Sequence, residues 1–371
     1  MTIPLLDLRA QFQTIKHEVI PALLDVVESQ RFILGEPVAR LERALAEFIG
    51  VPCAVACASG TDALLLSLKA LLLRPGDEVI TTPFTFFATA GAIHNAGGKP
   101  VFVDIDAATF NIDAARLENS VTERTRAIVP VHLFGQMAPM DGVLDVAQRF
   151  GLAVIEDAAQ AVGARQQLAG EWRHAGSLGM TGAFSFFPSK NLGGWGDGGM
   201  ITTGDPDLAE RLRRLRAHGG AKQYHHEEIG TNSRLDSLQA AVLLAKLPHL
   251  AEWNIARRTH AAAYTEALRD LDGIAVPATA LSNEHVFNQY TIRAVRRDDL
   301  KAHLTEGGIG SAVYYPRPLH LQPCFEYLGY SRGQFPEAER ACEEVISLPV
   351  YPELTPDQRD EVVEKIRELH R

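Results

Sequence analysis

The stretch GAFSFFPSKNLGGWGDGG, residues 182–199, decides the reading of this chain. It opens as an apolar strand over 183–187 that contains one polar residue, Ser185. Pro188 has no N–H to donate and ends ladder pairing. Lys190 follows between Ser189 and Asn191, and Gly193, Gly194, Gly196, Gly198 and Gly199 come next. Such a run of glycines marks backbone that passes close to something or takes up positive φ. For an average lysine, a place on a surface loop is the ordinary reading. Here aromatic residues stand on one side and a glycine-rich floor on the other, with no neighbouring carboxylate until Asp197. An amine in partly apolar surroundings loses proton affinity. Such an amine attacks a carbonyl and forms a Schiff base. Lys190 is therefore the candidate nucleophile.

Working outward, the same kind of apolar run recurs at residues 51–58, 78–82, 100–105, 127–133, 152–156 and 200–203. Helical patterns, for example 62–73 and 141–150, separate most of them. Continuously apolar strands alternating with helices predict a mostly parallel sheet covered on both faces. Residues 5–50 read as helical, with Leu41, Leu45 and Phe48 on one face. After about residue 234 the rhythm changes. A long helical stretch over 235–271 is interrupted at Pro248, followed by a strand (289–295), a helix (298–306), a strand (311–315) and a terminal helix (355–370). The expected class is α/β. A large domain, residues 1–248, holds a mostly parallel seven-stranded sheet flanked by helices and preceded by a helical segment. A smaller α/β domain occupies residues 249–371.

Length and composition agree with a two-domain globular protein: 371 residues, 46 % hydrophobic and 22 % charged. A net charge of −10 argues against nucleic acid as a partner. The one concentrated basic run, RLRRLR at 211–216, reads as a solvated helix face. Cys53, Cys57, Cys324 and Cys342 include no C-x-x-C pair, which argues against zinc. Cys53 and Cys57 lie in an apolar run and read as small buried hydrophobes. The adjacent His225 and His226 point in different directions and have no evident third ligand, so no metal is expected. The start, MTIPLLDLRAQ, lacks the pattern of a signal peptide. The most apolar stretch, 63–73, is broken by Lys69 and too short to span a bilayer. The expected compartment is the cytoplasm, with no membrane partner.

Ligands of such sheets sit at the carboxyl ends of the strands, and that is where the polar residues gather. Ser59-Gly60-Thr61-Asp62 ends one strand and opens a helix. Its free N–H groups suit a phosphate, while Ser, Thr and Asp equally serve as plain helix caps. Asp157 closes the run LAVIED. A buried carboxylate needs a partner, which is either an arginine or a protonated ring nitrogen of the kind pyridoxal phosphate enzymes hold. Thr85-Phe86-Phe87 follows another strand end, where Phe86 either stacks on a flat cofactor or packs in the core. No G-x-G-x-x-G follows the first strand, which argues against a nicotinamide enzyme.

At this point the motifs ASGTDAL, TFFAT, VHLFGQ, IEDAAQA, FSFFPSKNLG, GDGG and IGTNSRLDSLQAA carry a resemblance. The chain resembles the sugar-nucleotide aminotransferases of the DegT/StrS type, pyridoxal phosphate enzymes with the aspartate aminotransferase (type I) fold. The similarity runs from PLLDL at Pro4 to SLPVYPELT near the end. The resemblance implies pyridoxal 5′-phosphate as cofactor and the following roles. Lys190 carries the cofactor as a Schiff base and shuttles a proton. Asp157 holds the ring nitrogen protonated, Gln160 sits by the phenolic oxygen, and Phe86 stacks on the ring. Gly60, Thr61 and Ser185 bind the phosphate, Asp62 counts among the cofactor-binding residues, and Asn232 reaches the phosphate from a partner subunit, which makes a homodimer with shared active sites. Arg234, Tyr314 and His320 lie where the family contacts substrate, with Tyr315 and Arg317 nearby. The implied substrates are L-glutamate and a nucleotide-linked keto sugar, in amino-sugar and glycan biosynthesis. The stretch YHHEEIGTNSRLD is similar to the group that aminates at C-3, which makes a 3-keto sugar the expected acceptor. A 4-keto acceptor, a pyridoxal phosphate-dependent sugar dehydratase and a non-catalytic regulatory relative are the alternatives. Relatives that dehydrate replace the lysine with histidine, and Lys190 is present here.

Overall fold

The computed structural model describes residues 2–222 and 224–369. The chain opens with helices α1 (Leu8–Ser29) and α2 (Glu36–Ile49). Asp7 caps α1 by accepting the N–H groups of Arg9 and Ala10. The pattern then alternates: β1 (Cys53–Cys57), α3 (Gly60–Lys69), β2 (Glu78–Thr81), α4 (Phe87–Asn95), β3 (Lys99–Phe102), β4 (Thr125–Ile128), α5 (Met140–Phe150) and β5 (Ala153–Asp157). A side hairpin of β6 (Arg165–Leu168) and β7 (Glu171–His174) precedes β8 (Thr181–Ser185), β9 (Gly199–Thr203) and α6 (Pro206–Leu215).

One sheet has the order β1-β9-β8-β5-β4-β2-β3. Only β9 runs antiparallel to its neighbours, and the other pairings are parallel. The runs are continuously apolar because each strand buries both faces. Ala56, Phe184 and Met200 enter a core with Leu41 and Leu45 of α2 and Val143 of α5. Their neighbours Val55, Ala183 and Ile201 enter a second core with Leu64 and Leu68 of α3 and Leu212 of α6. This is the covered parallel sheet that the pattern predicts.

The remaining elements are α7 (Ser237–Lys246), α8 (Leu250–Leu268), β10 (Ile274–Ala275), β11 (Asn283–Glu284), β12 (Tyr290–Ala294), α9 (Arg297–Glu306), α10 (Pro336–Glu344), β13 (Val345–Leu348) and α11 (Pro356–Leu369). The break between α7 and α8 falls at Pro248, as expected. Strands β10, β12 and β13 form an antiparallel sheet. Its core takes Tyr264 and Leu268 from α8, Leu300 and Leu304 from α9, and Val362 and Ile366 from α11. Ile3, from the start of the chain, is fully buried in that same core. It is held there by bonds from its N–H to the Gly308 carbonyl (2.9 Å) and from the Gly310 N–H to its own carbonyl (2.7 Å). His370, the last residue of the predicted terminal helix, lies outside the described residues.

Two expectations change. Residues 311–315 do not form a strand: only Ala312 bridges, to Ser347. Pro316 and Pro318 follow at once and offer no N–H for a ladder. The run 211–216 is not wholly a solvated face. Arg216 is 7 % exposed, donates to Ala56 O at 2.6 Å and pairs with Glu42 at 2.6 Å. Arg211 pairs with Glu228 at 2.9 Å and donates to Ala70 O at 2.8 Å. The hairpin β6–β7, which pairs with β11, was not foreseen. Among the described residues, no helix is long and apolar enough to cross a membrane.

Candidate active site

The site grows from the register of β1, β9 and β8. Gly199 pairs with Cys57 on one side and Ser185 on the other. A Cβ on Gly199 would lie 2.2 Å from the Ser59 carbonyl, so only glycine lets the two strand ends approach. A Cβ on Gly60 would lie 2.6 Å from that of Ser185. The first N–H groups of α3, at Gly60 and Thr61, precede any intrahelical acceptor. Together with the Ser185 hydroxyl they form a cup suited to phosphate.

Asp62 stands differently from the expectation. Its N–H is taken by Ser59 Oγ at 3.1 Å, and its carboxylate accepts the Ser233 hydroxyl at 2.7 Å. Ser233 also accepts the Ala58 N–H at 3.2 Å. Asp62 thus braces the cup and ties it to the 232–234 segment, and a carboxylate so placed is no phosphate ligand. Ser233 went unnoticed in the sequence because a serine in a polar loop carries no distinguishing signal.

Lys190 sits in the turn after β8, where its N–H bonds to the Phe187 carbonyl at 2.9 Å. The next residue, Asn191, donates to Asn254 Oδ1 (2.7 Å) and Val286 O (3.0 Å), and its Oδ1 accepts from Asn288 (2.8 Å). These amides fix the turn against α8 and the loop after β11. Burial pushes the Lys190 ammonium down to about 8, with the nearby Asp157 charge opposing the shift. Lys190 as a whole is half-buried.

Asp157 ends β5, next to Ala183 of β8, and is 5 % exposed. Burial pushes its carboxyl up. The bonds from Thr89 Oγ1 (2.8 Å) and the Ala159 N–H (3.2 Å), together with the Lys190 charge, act in the opposite direction. No arginine forms an ion pair with it among the described residues. The salt-bridge reading of Asp157 therefore falls away.

Phe86 stands at the N-cap of α4 with 58 % of its surface exposed, free to cover a flat ligand. Its ring lies 6.1 Å from that of Tyr315. Gln160 accepts the Phe134 N–H at 2.6 Å and donates to Tyr315 Oη at 3.3 Å. Tyr315 thus joins Phe86 to Gln160, while Tyr314 lines a small cavity with Ser189, Arg257, Asn288 and Gln289. Asn232 is exposed and bridges to Ala217. Arg234 lines an open cleft of about 810 Å³ with His218, Lys222, Tyr224 and His226. His320 does not fit the substrate role expected of it. It is 2 % exposed, its Nε2 faces Glu339 Oε1 at 3.1 Å, and its ring packs against Phe335 at 4.8 Å.

The residues fit pyridoxal phosphate end to end. The cup at Gly60, Thr61 and Ser185 suits a phosphate. The Asp157 carboxylate keeps lone pairs for a ring nitrogen. Gln160 lies beside it, Phe86 offers a stacking face, and the Lys190 amine has lowered proton affinity. Fold and site together define a pyridoxal 5′-phosphate-dependent aminotransferase of the type I fold, and that phosphate is its cofactor. The chain belongs to the DegT/DnrJ/EryC1/StrS aminotransferase family, whose model matches residues 13–367. It is 47 % identical to the UDP-N-acetyl-3-dehydro-alpha-D-glucosamine 3-aminotransferase of Acidithiobacillus ferrooxidans, over 98 % of this chain and 97 % of that one. It is 52 % identical to a pleiotropic regulatory protein of Geobacillus stearothermophilus, over 100 % of this chain and 99 % of that protein. The crystal structure of DesV from Streptomyces venezuelae superposes with a TM-score of 0.96 at 42 % identity, covering 100 % of this chain and 98 % of DesV.

Proposed function

We propose that this aminotransferase moves an amino group from L-glutamate to the 3-keto group of a nucleotide-linked sugar, in amino-sugar biosynthesis in the cytoplasm. The observation that carries the chemistry is the pairing of Lys190, an amine with its ammonium lowered to about 8, with the buried carboxylate of Asp157. An amine of this kind is neutral in about one molecule in ten at pH 7, against roughly one in three thousand for an ordinary lysine. Neutral Lys190 Nζ would take the proton from the carbon of the amino donor in one half-reaction and deliver one to the former keto carbon of the acceptor in the other, so one group serves both. The bound cofactor supplies the electron sink for the C–H bond that breaks. Asp157 holds the ring nitrogen, Gly60, Thr61 and Ser185 hold the phosphate, and Phe86 covers the ring. Gln160 and Tyr315 orient the side that faces substrate.

The 3-keto acceptor is supported by the name of the Acidithiobacillus relative, a 3-aminotransferase at 47 % identity. Arg234 and Lys222 in the open cleft supply cations for the diphosphate of such a substrate. The working unit is a homodimer, with Asn232 completing the partner's phosphate site. Phe32 (36 % exposed), Ile33 (49 %), Leu34 (41 %) and Trp195 (41 %) support this, since so much apolar surface invites a covering subunit. The regulatory name of the Geobacillus relative favours a second reading, a regulator without catalysis. Matched 3-keto and 4-keto sugar nucleotides incubated with glutamate, with products read by NMR, test the proposal. Amination of the 4-keto compound alone overturns the C-3 assignment, and amination of neither overturns the sugar-nucleotide reading.

A further inference from the structure

Asp157 accepts two bonds, and the stronger comes from a residue to which no role has been given. Thr89, on the inner face of α4 and 1 % exposed, donates Oγ1–H to Asp157 Oδ2 at 2.8 Å. Thr85 Oγ1 lies 3.0 Å from Thr89 Oγ1 and is 2 % exposed. An ionised carboxylate accepts only, so the single Thr89 proton goes to Asp157. Thr85 must then donate to Thr89, and the order runs Thr85 to Thr89 to Asp157. Each bond in such a chain polarises the next. A hydroxyl pair aimed at a carboxylate favours its charged form.

We propose that Thr89, backed by Thr85, is a positioning residue that keeps Asp157 ionised and so keeps the proton on the cofactor's ring nitrogen. Asp157 and the ring nitrogen share one proton. Whatever stabilises the carboxylate moves that proton to nitrogen and strengthens the electron sink. Removing the hydroxyl moves it back toward oxygen, with no change in total protonation and no loss of contact volume. Burial alone already pushes the Asp157 carboxyl up, and the Thr89 bond is the largest influence opposing that. The inference rests on Asp157 as the partner of the ring nitrogen.

The test uses whole enzyme reconstituted with pyridoxal phosphate labelled with ¹⁵N in the ring. Thr89→Val removes the hydroxyl and keeps the shape. Its ¹⁵N signal moves from the protonated toward the unprotonated position, and the single-turnover rate with glutamate falls about tenfold, as for loss of a bond to a charged group. Thr89→Ser keeps the hydroxyl and keeps the wild-type signal. Thr85→Val shifts the signal the same way by a smaller amount. In an Asp157→Asn background, Thr89→Val has no further effect. A Thr89→Val enzyme with the wild-type ¹⁵N signal overturns the inference, as does one whose only change is in KM for glutamate. If Asp157→Asn itself leaves the signal in place, it is the role of Asp157 that fails.

Discussion

Glu156 neighbours Asp157 on β5 but is fully buried, and its replacement by glutamine is the sharpest structural test. Its Oε2 accepts from His132 Nε2 (2.9 Å) and the Gly176 N–H (2.9 Å), and its Oε1 accepts from the N–H groups of Leu178 and Gly179 (both 2.7 Å). The Ala138 N–H donates to His132 Nδ1 at 3.0 Å, so the His132 proton sits on Nε2 and points at the carboxylate. Burial works to raise the Glu156 carboxyl. The His132 bond and the backbone N–H groups more than offset it, leaving it below its ordinary value. In Glu156→Gln an NH₂ replaces one oxygen, and two buried N–H donors lose their acceptor. At about 1–3 kcal/mol for each stranded group, the loss is roughly 2–6 kcal/mol.

A chain of 371 residues unfolds with an entropy of about 0.8 kcal/mol per degree, so melting should fall by about 3–8 °C at neutral pH. The sign with pH follows from the depressed carboxyl. Its contribution is present above the unfolded value of 4.5 and lost as pH falls through the folded value. The gap between wild type and variant therefore narrows below about pH 4.5. Differential scanning calorimetry across that range measures both. Equal melting temperatures at pH 7, or a gap that widens on acidification, refute the reasoning.

Three further outcomes are expected. Borohydride reduction of the loaded protein fixes the cofactor to Lys190. Lys246 is also lowered to about 8 but is 2 % exposed and donates to the Gly193 carbonyl, so an adduct mapped there would overturn the nucleophile. Gly199→Ala drives a methyl into the Ser59 carbonyl and opens the phosphate cup, so cofactor affinity by equilibrium dialysis drops about tenfold or more while the fold survives. Mixing inactive Lys190→Ala with inactive Asn232→Ala subunits restores part of the activity, because one hybrid site carries both lesions and the other neither. No rescue, with subunit exchange confirmed by mass spectrometry, rules out a phosphate site shared between subunits.

The large sheet was legible because both its faces are buried. Runs such as 78–82 and 152–156 have no polar alternation to misread, and their positions held to within a few residues. The hairpin β6–β7 was not legible, since β7 is exposed at Glu171, Trp172 and Arg173 and lacks a hydrophobic face. The 311–315 strand failed for the opposite reason: its apolar residues pack against Phe84 and the residues around it, outside any ladder. In the site, Lys190, Asp157 and Gly60 stood out in the sequence because a glycine or an isolated charge at the end of a buried strand contributes little to packing. His320 misled, because a histidine beside a Tyr-Tyr-Pro run gives no sign of Glu339, which covers it from α10. Thr89 stood in the quoted TFFAT motif, yet its use depends on α4 folding back across the end of β5, which no local pattern states.

The arrangement also explains why the reactive turn is anchored as it is. An amine held among apolar groups favours the neutral form, and the same desolvation favours a turn that swings out to water. Asn191 opposes that movement through Asn254 on α8 and Asn288 before β12, which lie 63 and 97 residues further along the chain. Asn254 in turn donates to the Val162 carbonyl at 3.1 Å, in the loop after β5 that carries Gln160. The lysine turn and the Asp157–Gln160 loop are thus referred to one helix. Loosening α8 would disturb the amine and the ring-side residues together, while the phosphate cup, held by β1, β8 and β9, would keep its shape. Cofactor binding and proton transfer are therefore supported by different parts of the fold, and substitutions in α8 should separate them.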